Sequence, residues 1–131
     1  MCIRDRVITA HEGRIVKHEG DGVFAAFDTS NRALGAAVEI QRILQSHRDA
    51  HGFAPRIRIG LHRGPATERD GDYFGMAVNI TARVMALTDG NTITATEETV
   101  VDYTGPHTPP RSTEVKGLTT PLRVVVVDWT G

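Results

Sequence analysis

Asp72-Tyr73-Phe74-Gly75-Met76-Ala77-Val78-Asn79-Ile80-Thr81-Ala82-Arg83 opens with a carboxylate in a glycine turn and runs directly into a helical pattern. Asn79 and Arg83 are four residues apart, so on an α-helix their side chains stack on one face. An amide and a guanidinium would then point together into one cleft, while Val78, Ala82, Met85 and Ala86 are placed to face a core. Upstream, Lys17 and Asp21 flank His18-Glu19-Gly20, in a tight connection between the apolar runs Ile15-Val16 and 23–27. That arrangement puts a cation and a second carboxylate on a hairpin tip.

The surrounding pattern alternates between strands and helices. Residues 13–17 and 23–27 predict a hairpin. Asp28, Thr29 and Ser30 then offer capping oxygens to a long helix, whose Ala33, Ala37, Ile40 and Leu44 keep one face apolar to about residue 50. His51-Gly52 ends it. Ile57, Ile59 and Leu61 alternate with Arg56, Arg58 and Gly60 as in a strand, which Gly64-Pro65 breaks. Residues 66–72 read as a polar loop or arm, and 75–87 as a helix. Asp89-Gly90-Asn91 is a turn, 92–95 a short strand, and 97–103 one helical turn or two. Residues 104–113 hold three prolines and read as loop, before strands at 114–116 and 123–128. The expected fold class is α+β, with helices packed over an antiparallel or mixed sheet.

Composition narrows the function. A chain of 131 residues supports one domain with its own core. The net charge of -1, the 5% aromatic content and the lack of a basic block or aromatic-rich strand argue against a nucleic-acid surface. No apolar run is long enough for a membrane segment, 124–127 reads as a buried strand, and a signal-peptide core is missing at the start, so a cytoplasmic location is expected. Cys2 is the only cysteine, and the six histidines are scattered without metal-ligand spacing. Of the 15 basic residues all but Lys17 and Lys116 are arginine. A compact ammonium is not interchangeable with a planar guanidinium, so lysines kept in such a background point to function.

The two opening stretches resemble the catalytic domain of the class III adenylate and guanylate cyclases, which carries a Lys-x-x-Gly-Asp hairpin and, later, Asp-x-x-Gly-x-x-Val-Asn-x-x-x-Arg. Arg56-Ile57-Arg58-Ile59-Gly60-Leu61-His62-Arg63-Gly64 and Glu114-Val115-Lys116-Gly117-Leu118 resemble two further elements, in family order, and the resemblance covers residues 7–129. It implies a ferredoxin-like sandwich and conversion of ATP to 3',5'-cyclic AMP and pyrophosphate. It also implies two divalent ions per site, Mg2+ or Mn2+, with Asp21 as one metal ligand. By the same resemblance Arg83 stabilises the transition state, Asn79 orients the ribose and Lys116 contacts the triphosphate. Lys17 and Asp72 take the base-reading positions. Adenine offers an acceptor at N1 and a donor at its amino group, which a lysine and an aspartate match, so ATP is expected over GTP. Family sites form between two domains, which implies a two-fold homodimer, with the loop 66–73 helping the subunits engage.

The family's first strand, carrying the other metal aspartate, has no counterpart. Residues 1–6 are an unmatched leader, read as a junction or assembly scar, and 7–131 a partial catalytic domain expected to be inactive in this form. Asp5 is not placed to substitute. The alternative is a cyclase-like nucleotide-binding, dimerisation or regulatory module without turnover. A third reading, an unrelated ferredoxin-like binding domain, is disfavoured by the lack of strand aromatics.

Overall fold

A short helix, α1 (Ile3–Ala10), leads into an antiparallel hairpin, β1 (Arg14–Glu19) and β2 (Gly22–Ala26), in the computed structural model, which describes residues 3–19, 22–65, 67–70, 72–115 and 117–130. Val7 and Ile8 of α1 are buried, and polar side-chain contacts tie its ends. Asp5 meets His18 at 3.2 Å, and just past the helix His11 meets Glu39 at 2.5 Å and Glu12 meets Arg32 at 2.8 Å. Helix α2 (Ser30–His51) follows. Thr29 accepts the Arg32 N–H at 3.2 Å at its start, and Gly52 donates to the Arg48 carbonyl at 2.7 Å at its end, the two caps the sequence offers.

Helix α2 joins two cores. Leu34 and Ala37 pack with Ile93, Ala95, Val125 and Val127, while Ala36, Ile40 and Leu44 pack with Val7, Ile8 and Ala54. Gln41 between them is 1% exposed. Its Nε2 donates to the carbonyls of Ile57 at 3.3 Å and Thr92 at 3.4 Å, satisfying a buried amide while fixing the entries of two strands.

Those strands belong to a four-stranded sheet of β3 (Arg58–Leu61), β6 (Thr92–Thr96), β7 (Arg111–Thr113) and β8 (Leu122–Val127), in the order β3-β6-β8-β7. β3 and β6 are parallel; β8 runs antiparallel to both β6 and β7. Between β3 and β6 the chain forms a second hairpin, β4 (Thr67–Arg69) and β5 (Asp72–Phe74), and then helix α3 (Met76–Ala86). A 3-10 helix, Glu97–Val100, follows β6. The chain is α+β, with a mixed sheet and helices packed on it.

One alternative is decided and two expectations are corrected. Of the polar loop or arm expected at 66–72, the arm is what forms: Thr67 pairs with Phe74 and Arg69 with Asp72 across the β4–β5 hairpin. The strand expected at 114–116 lies earlier, at Arg111–Thr113, directly after Pro109-Pro110, where it pairs through Ser112 with Arg123. In α3 the core face is not Val78, Ala82, Met85 and Ala86. Val84 is fully buried and Thr88 beyond the helix nearly so, while Ala82, Met85 and Ala86 are exposed and Val78 is half-buried. The helix sits that way because Gly60 of β3 admits its backbone. A Cβ at Gly60 would lie 2.5 Å from the Met85 nitrogen and 2.6 Å from its Cα, so the helix backbone itself meets the sheet at that point.

Among the described residues β2 pairs only with β1, and β3 lies at the edge of its sheet. Both strands border one open cavity of about 800 Å3, reached also by Ser30 and Ala33 of α2 and by Tyr73 and Val78. The Ser30 hydroxyl is buried there without a hydrogen-bond partner among the described residues.

Candidate functional site

Lys17 on β1 and Asp72 at the start of β5 are 55 residues apart in sequence, and the fold brings them into contact: Lys17 Nζ donates to Asp72 Oδ2 at 3.3 Å. The pair is partly exposed, at 38% and 33% for the two side chains, so it is open to exchange partners with a ligand. Asp72 Oδ1 accepts the Tyr73 N–H at 2.8 Å, which orients the carboxylate and leaves its other oxygen toward Lys17. The Lys17 ammonium also lies over the Phe24 ring, 5.9 Å from its centroid.

Gly75, three residues beyond Asp72, has φ of 129°, a backbone conformation that a side chain would strain. There the chain turns from β5 into α3, and the spacing from Asp72 to the helix depends on it. Asn79 and Arg83 then lie on one exposed face of α3 together with Met76 and Leu87. That face is open, so the two side chains do not share a closed cleft within the chain. The Arg83 guanidinium instead lies against the loop after β7: its Nη2 is 2.9 Å from the place a Cβ would occupy on Gly117, whose φ is 91°. Asp21 and Lys116 lie outside the described residues.

The arrangement of Lys17, Asp72 and the α3 face occurs on a backbone that closely matches a solved one. Over 95% of this chain and 78% of the other, it superposes on an adenylate/guanylate cyclase/hydrolase from Silicibacter pomeroyi with a TM-score of 0.86 and 34% identity. The chain belongs to the adenylate/guanylate cyclase catalytic-domain family. The cyclase domain is also 35% identical over 81 residues to an adenylate cyclase from Streptomyces coelicolor, a match covering 62% of this chain and 20% of that protein. An uncharacterised protein of Mycobacterium tuberculosis is 37% identical over 89 residues, covering 66% of this chain and 28% of its own. The cyclase domain thus spans between 15% and 28% of the length of such curated relatives. No protein-family model matches it.

Several side chains around the Lys17–Asp72 pair were not singled out by the sequence. Arg14 pairs with Glu68 at 3.2 Å, hydrogen-bonds the Tyr73 hydroxyl and lies 5.5 Å over the Tyr73 ring. Phe24 meets Tyr73 edge to face at 6.4 Å. Tyr73 adjoins Asp72 in sequence, which is the one signal that could have drawn it in.

At the end of β3, His62 is 8% exposed and shares a hydrogen bond with the Thr96 hydroxyl at 2.8 Å, while Glu98 lies 3.6 Å away. Burial holds its imidazole below the usual histidine range, against the opposing pull of the Glu98 carboxylate. Thr99 links Thr96 at 2.8 Å and the Arg63 N–H at 3.1 Å, so this corner is a hydrogen-bonded support for the β3 end. Among the described residues no group of three or more His, Cys, Asp and Glu side chains gathers where a metal ion could sit, and no helix is long and apolar enough to cross a membrane.

Proposed function

We propose that this domain is the catalytic part of an adenylate cyclase, taking ATP to 3',5'-cyclic AMP and pyrophosphate at the interface of a homodimer. The observation that carries the reading is the Lys17–Asp72 pair at 3.3 Å, one donor and one acceptor held side by side on a partly exposed surface. Adenine needs that pair in that combination, a donor to N1 and an acceptor for the 6-amino group. Guanine presents the reverse pattern at the corresponding atoms.

In this reading the ribose 3'-oxygen attacks the α-phosphorus, its proton passes to water, and the bond to the pyrophosphate oxygen breaks, with pyrophosphate as the leaving group. Asn79 orients the sugar without adding charge, and correct orientation is itself a large part of such catalysis. Arg83 stabilises the negative charge that builds on the phosphoryl oxygens. Lys116 would hold the triphosphate. Mg2+ or Mn2+ would lower the barrier by favouring the alkoxide and neutralising phosphate charge, with Asp21 as a ligand.

Support for the homodimer comes from the surface that holds Asn79 and Arg83. Phe74 at 51%, Met76 at 61% and Leu87 at 42% exposure flank them, an apolar setting that a second copy would cover. Covering it would turn an open helix face into the cleft that the two polar side chains need. A second reading, nucleotide binding without turnover, draws on the open cavity between the edges of β2 and β3.

The test compares ATP and GTP binding by titration calorimetry, and cyclic nucleotide formation in a protein extended by the family's aspartate strand. ATP should be preferred, and Asp72→Ala should bring the ATP:GTP ratio toward one; an unchanged ratio would remove the base-reading assignment. Arg83→Ala should lower turnover by about 10²- to 10³-fold while ATP binding changes far less. Equal losses in both would argue against a transition-state role.

A further inference from the structure

Lys17 and Asp72 stand on two hairpins, each a separate two-stranded sheet among the described residues. The distance between them is therefore set by side chains reaching across, and Arg14 and Tyr73 are the ones in place to set it. We infer that Arg14 and Tyr73 form a latch that holds the β4–β5 hairpin against β1–β2 and so positions the Lys17–Asp72 pair for purine selection. The inference rests on the base-reading role proposed above.

The register of β1 explains how Arg14 comes to be there. In a regular strand residues three apart face opposite sides. Here Arg14 pairs with Ala26, Ile15 with Ala25, and Lys17 with Phe24, so the strand takes one extra residue between Ile15 and Lys17. That bulge shifts the alternation and places Arg14 and Lys17 on the same face, with Phe24 and Ala26. Ile15, Val23, Ala25 and Phe27 take the other face and pack toward the core under α1 and α2.

On the shared face, contacts close around Tyr73 from two sides. Arg14 lies over its ring, bonds its hydroxyl and pairs with Glu68 on β4, so one guanidinium grips both strands of the second hairpin. Phe24, which stands directly opposite Lys17 in the ladder, meets the ring edge to face. Tyr73 in turn carries Asp72, both through the chain and through its own N–H on Asp72 Oδ1. Loosening the ring therefore displaces the carboxylate relative to the ammonium. Arg14 and Tyr73 are positioning residues in this account, acting through Lys17 and Asp72.

Two measurements on the full chain test this. Spin labels on His18 and Arg69, in a Cys2→Ser background, report the distance between the hairpins by pulsed dipolar spectroscopy. Competition titrations with ATP, GTP and inorganic tripolyphosphate report base selection apart from phosphate binding. Arg14→Ala, and Tyr73→Phe as the milder variant that keeps the ring, should broaden the distance distribution. Each should also lower the ATP:GTP affinity ratio by about 3- to 10-fold, the worth of one hydrogen bond, with tripolyphosphate affinity unchanged. A structural defect alone would weaken all three ligands together, and that result would overturn the inference. So would an unchanged distance distribution. If Asp72→Ala abolishes ATP preference while Arg14→Ala and Tyr73→Phe leave it intact, the latch is wrong and the base reading stands. If Asp72→Ala has no effect, or if neither nucleotide binds, purine selection falls for both.

Discussion

β6 and β8 share an antiparallel ladder from Ile93–Val127 to Thr96–Val124, and Ile93, Ala95, Val125 and Val127 are buried to 1% exposure or less. The β1–β2 and β4–β5 hairpins meet instead through Arg14, Lys17, Phe24, Asp72 and Tyr73, with the charged members about a third or more exposed. One region takes its geometry from backbone hydrogen bonds and apolar burial, which depend little on salt. The other takes it from charges and rings, which salt screens and ligands can rearrange. Rigidity and the proposed selectivity thus fall in different parts of one small domain, and substitutions should separate them.

The largest effect should come from the rigid side. Leu34 is fully buried where α2 meets the sheet, and Leu34→Ala should lower stability by about 2–5 kcal/mol, read as a fall in the urea midpoint at unchanged slope. A loss below about 1 kcal/mol would mean the sheet region is not the main store of stability. Gly60→Ala comes next, because the added methyl would sit 2.5 Å from the Met85 nitrogen and that atom is backbone. The helix must lift, at a cost of about 1–3 kcal/mol. If melting is unchanged, the close approach of α3 to β3 is not as described.

The smallest effect sharpens the boundary between the regions. The His62 imidazole is held below its ordinary value of 6.5 by burial, so the unfolded chain takes up this proton at a higher pH than the folded one. Its contribution to stability is full above that ordinary value and is lost as pH falls through the lower folded value. His62→Gln should flatten this part of the stability curve below its ordinary value of 6.5. Parallel curves for the two proteins would place the slope elsewhere.

Elements whose local chemistry agrees with their burial were legible in the sequence. Thr29 and Gly52 marked the ends of α2 to within a residue, and the run of valines in β8 read correctly as a buried strand. Lys17 and Asp72 were legible only through their motifs, and the fold joins them across 55 residues. The face of α3 was misread because apolar side chains occur all around it, and periodicity cannot choose between a core and a second apolar surface. The arm stayed undecided between loop and hairpin because Thr67-Glu68-Arg69 carries no apolar alternation; its strands pair from Thr67–Phe74 to Arg69–Asp72. Arg14 was missed because a bulge, invisible to period-two reasoning, turns it to the side of Lys17. Gln41 gave no signal beyond a polar residue on an apolar helix face.

The parallel pairing of β3 with β6 has an evolutionary consequence. Parallel neighbours cannot be joined by a tight turn, so a long crossover between them is obligatory. Residues 62–91 supply it, and they contain Asp72, Tyr73, Asn79 and Arg83. Segments that the connectivity requires in any case are therefore the ones carrying these candidate site residues. Lengthening the arm would add only about 0.6 kcal/mol of closure entropy per doubling of the loop. Changes of length and sequence in this crossover therefore leave the strands on either side free to keep their register.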